Sequence, residues 1–132
     1  MAAATIKATF HCPVEKVWQT VVSLTNYSWR SDIDHIEIKK SGKKFIEHPK
    51  KGAATTFRIT ARETGKRYEL DIENSHMKGH FIGLFSYENG VTTLEFAENV
   101  KIHNIFMKPF GSLYLKKQQA RYMNDLRKAV EK

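Results

Sequence analysis

The sequence predicts an α+β fold: a curved antiparallel sheet of about seven strands, two short helices after the first strand, and one long C-terminal helix closing a cavity. Three observations predict it. Segments of alternating polarity follow one another through the middle of the chain with short turns between them, so neighbouring strands run antiparallel. A basic, amphipathic tail, Met107 to Lys132, comes after the last of these segments. A helix that follows a run of hairpins has the concave face of their sheet to cover, and a curved sheet closed by one helix tends to enclose a pocket.

The first strand is Thr5 to Phe10, with Ile6, Ala8 and Phe10 on one face. Pro13 suits a first helical position and Glu15 complements the dipole of the first turn. Val14, Val17, Trp18, Val21 and Val22 then recur at helical spacing up to about Ser23, and Thr25 to Trp29 reads as a second short helical turn. Six strand segments follow. Ile33 to Lys40 turns at Ser41-Gly42 and returns as Lys44 to Glu47. Thr55 to Glu63 and Arg67 to Glu73 alternate cleanly around Thr64-Gly65. Lys78-Gly79 punctuates the chain before His80 to Glu88, and Asn89-Gly90 is a type I′ hairpin signal leading into the strand of Thr92, Leu94 and Phe96, which runs to about Ile102. The tail opens at Pro109. Leu115, Gln119, Tyr122, Leu126 and Val130 form its stripe, with Phe110, Leu113, Met123 and Ala129 beside it.

Composition narrows the function classes. The 132 residues make one domain, residues 1–132, large enough to bury a core without staples. No apolar run reaches the ~18 residues of a membrane span, so membrane insertion is not expected. The first residues show no basic region followed by an apolar stretch, and Cys12 is the sole cysteine; the expected location is cytoplasmic. The net charge of +8 gathers at Lys39, Lys40, Lys43, Lys44, Lys50 and Lys51 and along the tail. Interspersed Glu37, Glu47, Asp125 and Glu131 favour a solvated surface over an anionic partner, and no nucleic-acid partner is expected.

Local segments carry a resemblance. Phe10-His11-Cys12-Pro13-Val14-Glu15-Lys16-Val17-Trp18 resembles the entry segment of the START-like, or SRPBCC, superfamily, and Asn26-Tyr27-Ser28-Trp29-Arg30-Ser31-Asp32 resembles the aromatic turn that follows it there. Leu115 to Glu131 resembles its closing helix. The chain is closest in pattern to the small bacterial members labelled polyketide cyclase/dehydrase-like, and departs from them at Thr25, where many carry an acidic residue. The resemblance implies the helix-grip fold and an internal cavity for a hydrophobic ligand.

Strand phase then names the expected ligand-binding residues: Phe57, Ile59, Tyr68, Leu70 and Phe96 facing inward, Phe81 and Phe85 with Gly83 making room between them, Tyr122, Met123 and Leu126 pressing down from the tail, and Trp29 at the mouth. The alternative is that these residues fill a solid core. The preferred reading is a carrier, sensor or sequestering protein for a small hydrophobic or aromatic molecule, acting as a monomer or weak dimer. The second is a cyclase- or dehydratase-type enzyme, for which Tyr68, Tyr87 and His80 are the nearest proton-transfer candidates. Glu69, Asp71, Glu73 and Arg58 fall on the outward phase. Asp32 and Asp34 beside His35 read as strand-start solvation, and Cys12 as a helix-start residue rather than a nucleophile. His76 and His80 are separated by the expected turn at Gly79, and no metal, cofactor or catalytic constellation is expected.

Overall fold

The computed structural model describes residues 2–131. Alternation of apolar and polar side chains builds a seven-stranded antiparallel sheet: β1 (Ala2–Phe10), β2 (Ile33–Lys39), β3 (Lys44–Pro49), β4 (Thr55–Glu63), β5 (Arg67–Glu73), β6 (Met77–Glu88) and β7 (Val91–Ile102). The order across the sheet is β1-β7-β6-β5-β4-β3-β2. Consecutive strands from β2 to β7 are neighbours, and β1 closes onto β7 at the far edge, pairing Ala2 with Val100 and Phe10 with Thr92. Helix α1 (Val14–Val22) follows β1, and helix α2 (Gly111–Val130) ends the fold.

Turn chemistry sets the strand ends. Asn89 and Gly90 both take positive φ, 52° and 80°, as a type I′ turn requires. The punctuation expected at Lys78-Gly79 lies elsewhere. The Asn74 side-chain oxygen accepts the backbone N–H groups of His76 and Met77, making an Asx turn, so β6 begins at Met77 and runs through Gly79. Gly79 serves close approach instead of turning. It pairs with Val100, where an added Cβ would overlap the Asn99 carbonyl oxygen and lie 2.7 Å from the Val100 Cα.

One short helix, not two, follows β1. Thr25–Trp29 is irregular. Ser23 Oγ accepts the Asn26 N–H, the Trp29 indole N–H donates to the Asn26 carbonyl, and the Arg30 N–H bonds to Tyr27 O. These local bonds take up groups that a helix would use, and five residues are too few to nucleate one without help.

The main core lies between the sheet, α1 and the C-terminal half of α2. Phe10, Val17, Trp18, Phe85, Leu94, Leu126 and Val130 are buried together, with Trp18 edge-on to Phe85 and Tyr68 at 5.0 and 6.0 Å. A smaller cluster of Ala2, Ala4, Val100, Ile102 and Leu115 fixes the start of α2 to β1 and β7. The helix is therefore anchored at both ends and spans the space between. Phe110 and Leu113, expected beside its buried stripe, are exposed to solvent. No helix among the described residues is long and apolar enough to cross a membrane.

Candidate functional site

Beneath the N-terminal half of α2 the sheet is not filled. A partly enclosed cavity of about 750 Å³ lies there, bounded by α2, by strands β2 to β7 and by the irregular segment 23–32. A cavity of this size falls in the range of small-molecule sites. Of the expected ligand-binding residues, Trp29, Phe57, Tyr68, Leu70, Phe81, Phe96 and Tyr122 line it. Phe85, Met123 and Leu126 stand instead in the packed core, with Ile59 packed against it, and none of the four lines the cavity. The division follows position along the elements: α2 presses on solid core through its C-terminal turns, and the space opens under its N-terminal ones.

The wall is aromatic. Phe96 contacts Phe81 and Tyr122 edge-on at 4.7 and 5.0 Å, Trp29 meets Tyr122 at 5.3 Å, and Phe45 stacks on Phe57 at 5.1 Å. Gly83 makes room for this packing, since a Cβ there would come within 3.2 Å of the Phe96 ring.

Set into this wall is a cluster that the sequence reading did not assign. The Arg30 side chain, 11% exposed, donates through Nη1 and Nη2 to Glu47 at 3.2 and 3.4 Å and through Nε and Nη2 to Asp32 at 3.2 and 3.3 Å. Its guanidinium lies 4.7 Å from the Tyr122 ring centre. Burial opposes its charge, but Glu47 and then Asp32 outweigh that cost and hold its pKa above the ordinary arginine range. Two carboxylates on one guanidinium leave the triad with a formal excess of negative charge, so Arg30 is not a free anion receptor.

Two polar groups of the cavity wall lack partners. The Tyr68 hydroxyl is buried with no hydrogen bond. Burial pushes its pKa up to about 12, so it stays protonated at neutral pH. Gln119 uses its side-chain N–H groups on Ala4 O and Glu98 Oε1, both at 3.1 Å, and leaves its own buried Oε1 unpaired. Glu98 also lines the cavity, and burial raises its pKa against the lowering effect of the Gln119 hydrogen bond. Burial likewise raises the Tyr122 hydroxyl, partly offset by Arg30.

A sequence signal existed for two of these residues. Glu98 continues the inward phase of Leu94 and Phe96, and Glu47 shares the phase of Phe45. A carboxylate in step with an apolar face marks either an error or a site. Arg30 carries no such signal, because it sits in irregular backbone.

The other proton-transfer candidates lie away from the cavity. His80 is on the outer face of the sheet, within 2.8 Å of Asp71 and 2.9 Å of Glu69, and Tyr87 is exposed near the β6–β7 turn. His35 pairs with Asp34 and stacks on His48 at 4.3 Å. Cys12 is buried and burial pushes its thiol up, away from nucleophilic character. Among the described residues no three His, Cys, Asp or Glu side chains gather as a metal site.

Residues 1–131 match the family model described as polyketide cyclase/dehydrase and lipid transport. The chain belongs to this family. Solved structures share the family fold at low identity. A START superfamily protein from Mycobacterium smegmatis superposes with a TM-score of 0.87 at 10% identity, covering 99% of this chain and 98% of that one. An uncharacterised protein from Bacillus thuringiensis gives 0.81 at 13% identity, covering 97% and 98%. DynU16, a protein of the dynemicin biosynthetic locus, gives 0.78 at 12% identity over 97% of this chain and 46% of its own. No curated protein sequence matches the chain. At such identities the likeness establishes the fold of this family member and leaves its ligand to be argued from the cavity.

Proposed function

We propose that the protein binds a small, mostly apolar molecule carrying an uncharged hydrogen-bonding group, in a carrier, sensor or sequestering role. The observation that carries this reading is an aromatic cavity of about 750 Å³, two of whose lining residues, Tyr68 and Gln119, each hold a buried polar atom without a hydrogen-bond partner. A buried polar group without a partner costs about 1–3 kcal/mol. A ligand toward which the Tyr68 hydroxyl or the Gln119 amide turns recovers that cost by pairing it. The aromatic surface supplies affinity by area, at roughly 25 cal/mol per Å² removed from water, before the costs of immobilising the ligand. The family description, with its lipid transport, supports a hydrophobic ligand. Native mass spectrometry of the purified protein tests the reading: a stoichiometric apolar adduct, released by organic solvent, is expected, and a uniformly empty protein that also refuses apolar probes contradicts it.

A second reading, proton-transfer catalysis of the cyclase or dehydratase kind, rests on one observation. Glu98 is a cavity-lining carboxyl whose pKa is raised by burial, the property a general acid or base near neutral pH needs. Glu98→Gln keeps the acceptor for Gln119 and removes the exchangeable acid. Under this reading the variant binds ligand normally but no longer converts it; unchanged turnover in Glu98→Gln removes Glu98 from the chemistry.

A further inference from the structure

The segment joining β7 to α2 exposes large apolar side chains where a polar loop is expected. Ile105 is 70% exposed, Phe106 84%, Phe110 64% and Leu113 54%, and Met107 and Tyr114 are also exposed. Single exposed apolar residues are ordinary; six within ten consecutive residues form a patch and mark an interaction surface. From Asn99 to Asn124 the sequence carries Lys101, Lys108, Lys116, Lys117 and Arg121 and no aspartate or glutamate. The patch is thus apolar at its tip, and every charged residue of its own stretch of chain is a cation, while Glu98 and Asp32 approach Tyr114 from the cavity side.

We propose that this segment docks the protein onto an anionic lipid bilayer, with Phe106, Phe110 and Leu113 entering the interface and the flanking lysines meeting lipid headgroups. Three features select a bilayer over other occupants. Protruding aliphatic and phenyl groups gain nothing from a nucleic-acid backbone, but gain burial from acyl chains. A second copy of the chain brings the same cations to the contact, with no carboxylate from this segment to pair them. Lysines near an anionic bilayer each contribute to binding, and a surface-lying segment needs both the apolar and the charged component.

Docking also places the cavity usefully. Tyr114 belongs both to the exposed patch and to the cavity wall, and Lys117 and Arg121, one and two turns further along α2, line the cavity as well. A bilayer held by this segment lies beside the cavity, where an apolar molecule could pass without crossing bulk water. This consequence rests on the ligand-binding reading; docking itself does not.

Sedimentation with sucrose-loaded vesicles tests the proposal. The expected result is that the wild-type protein pellets with phosphatidylglycerol/phosphatidylcholine vesicles at low salt, remains in the supernatant with pure phosphatidylcholine, and is released by 0.5 M salt, a condition on the order of three times physiological ionic strength. Phe106→Asp/Phe110→Asp changes exposed side chains only and is expected to abolish pelleting with an unchanged circular dichroism spectrum. Lys108→Ala/Lys116→Ala is expected to weaken vesicle affinity by about 25-fold, roughly five-fold for each lysine removed. Failure of the wild type to pellet overturns the proposal, as does pelleting unaffected by the double Phe variant, which leaves only electrostatic adsorption. A concentration-dependent dimer in sedimentation velocity that the Phe variant abolishes also overturns it, in favour of self-association. Neutral dye uptake by the same variants separates the two readings: loss of pelleting with retained uptake supports docking by this patch, and loss of uptake by the wild type is a failure of the cavity reading alone.

Discussion

The carboxylate of Asp125, buried on α2, accepts two hydrogen bonds from Ser31, one from its backbone N–H at 2.8 Å and one from its hydroxyl at 2.7 Å. The pair ties the irregular segment at the cavity mouth to the closing helix. Arg30 precedes Ser31 in the chain, so the same latch helps hold its guanidinium over Tyr122. Asp125→Ala removes both bonds and leaves the Ser31 N–H, part-buried in its bond to Asp125, without its partner. The expected cost is about 2–4 kcal/mol of stability in urea unfolding, with earlier proteolytic cleavage within 23–32. Ser31→Ala keeps the backbone bond and is expected to cost only about 1 kcal/mol.

Tyr68→Phe is predicted to move stability and binding in opposite directions. The hydroxyl is buried without a hydrogen-bond partner, so its removal is expected to stabilise the protein by about 1 kcal/mol. The same change weakens any ligand that pairs the hydroxyl. Thermal unfolding without ligand, set beside a binding titration, checks both halves. A destabilised variant means that the hydroxyl has a partner after all.

Two glycines of β6 are predicted to differ sharply in tolerance. At Gly79 an alanine methyl meets backbone, the Asn99 carbonyl and the Val100 Cα, which cannot turn aside. At Gly83 it meets the Phe96 ring at 3.2 Å, and the ring borders open cavity. Gly79→Ala is expected to cost about 3 kcal/mol or more and Gly83→Ala about 1 kcal/mol, read from urea midpoints at constant m-value.

His80 gives a pH signature. Its hydrogen bond to Glu69, opposed by partial burial and reinforced by Asp71, raises its pKa above the usual histidine value. A group raised on folding contributes stability that is fully present below its unfolded pKa, about 6.5, and is lost as pH rises through its higher folded pKa. The wild type is therefore expected to lose a small increment of Tm between pH 6 and 8 that His80→Gln does not lose. The effect is small because the cluster faces solvent. Parallel pH profiles would expose the opposite sign if the neutral ring were the favoured form.

Much of the fold was legible in the sequence because each strand alternates against a single buried face and each turn carries its own chemistry. Phe57, Tyr68, Leu70 and Phe96 were placed on the inner face by phase alone. The second helix expected at Thr25–Trp29 failed because side-chain and backbone bonds from Ser23 and Asn26 compete locally with helix geometry, which apolar periodicity does not register. Strand phase also cannot tell a cavity wall from a filled core. Phe85 and Phe81 share a face of β6, yet Phe85 packs under Trp18 and Phe81 borders open space, because α1 covers one end of the sheet and not the other. Arg30 was hidden for a related reason: its role depends on Glu47 and Tyr122, brought to it from β3 and α2.

The proposed ligand binding depends on the open, aromatic cavity under α2. Fluorescence titration with N-phenyl-1-naphthylamine, a neutral aromatic probe with one N–H donor, tests it most directly. Saturable binding at one probe per chain is predicted, lost in Phe57→Asp and in Ile36→Trp, which fills the cavity from the β2 residue lining it, and retained in Phe106→Asp/Phe110→Asp. No saturable signal from the folded wild type, or a signal that survives both cavity variants, would contradict the central claim.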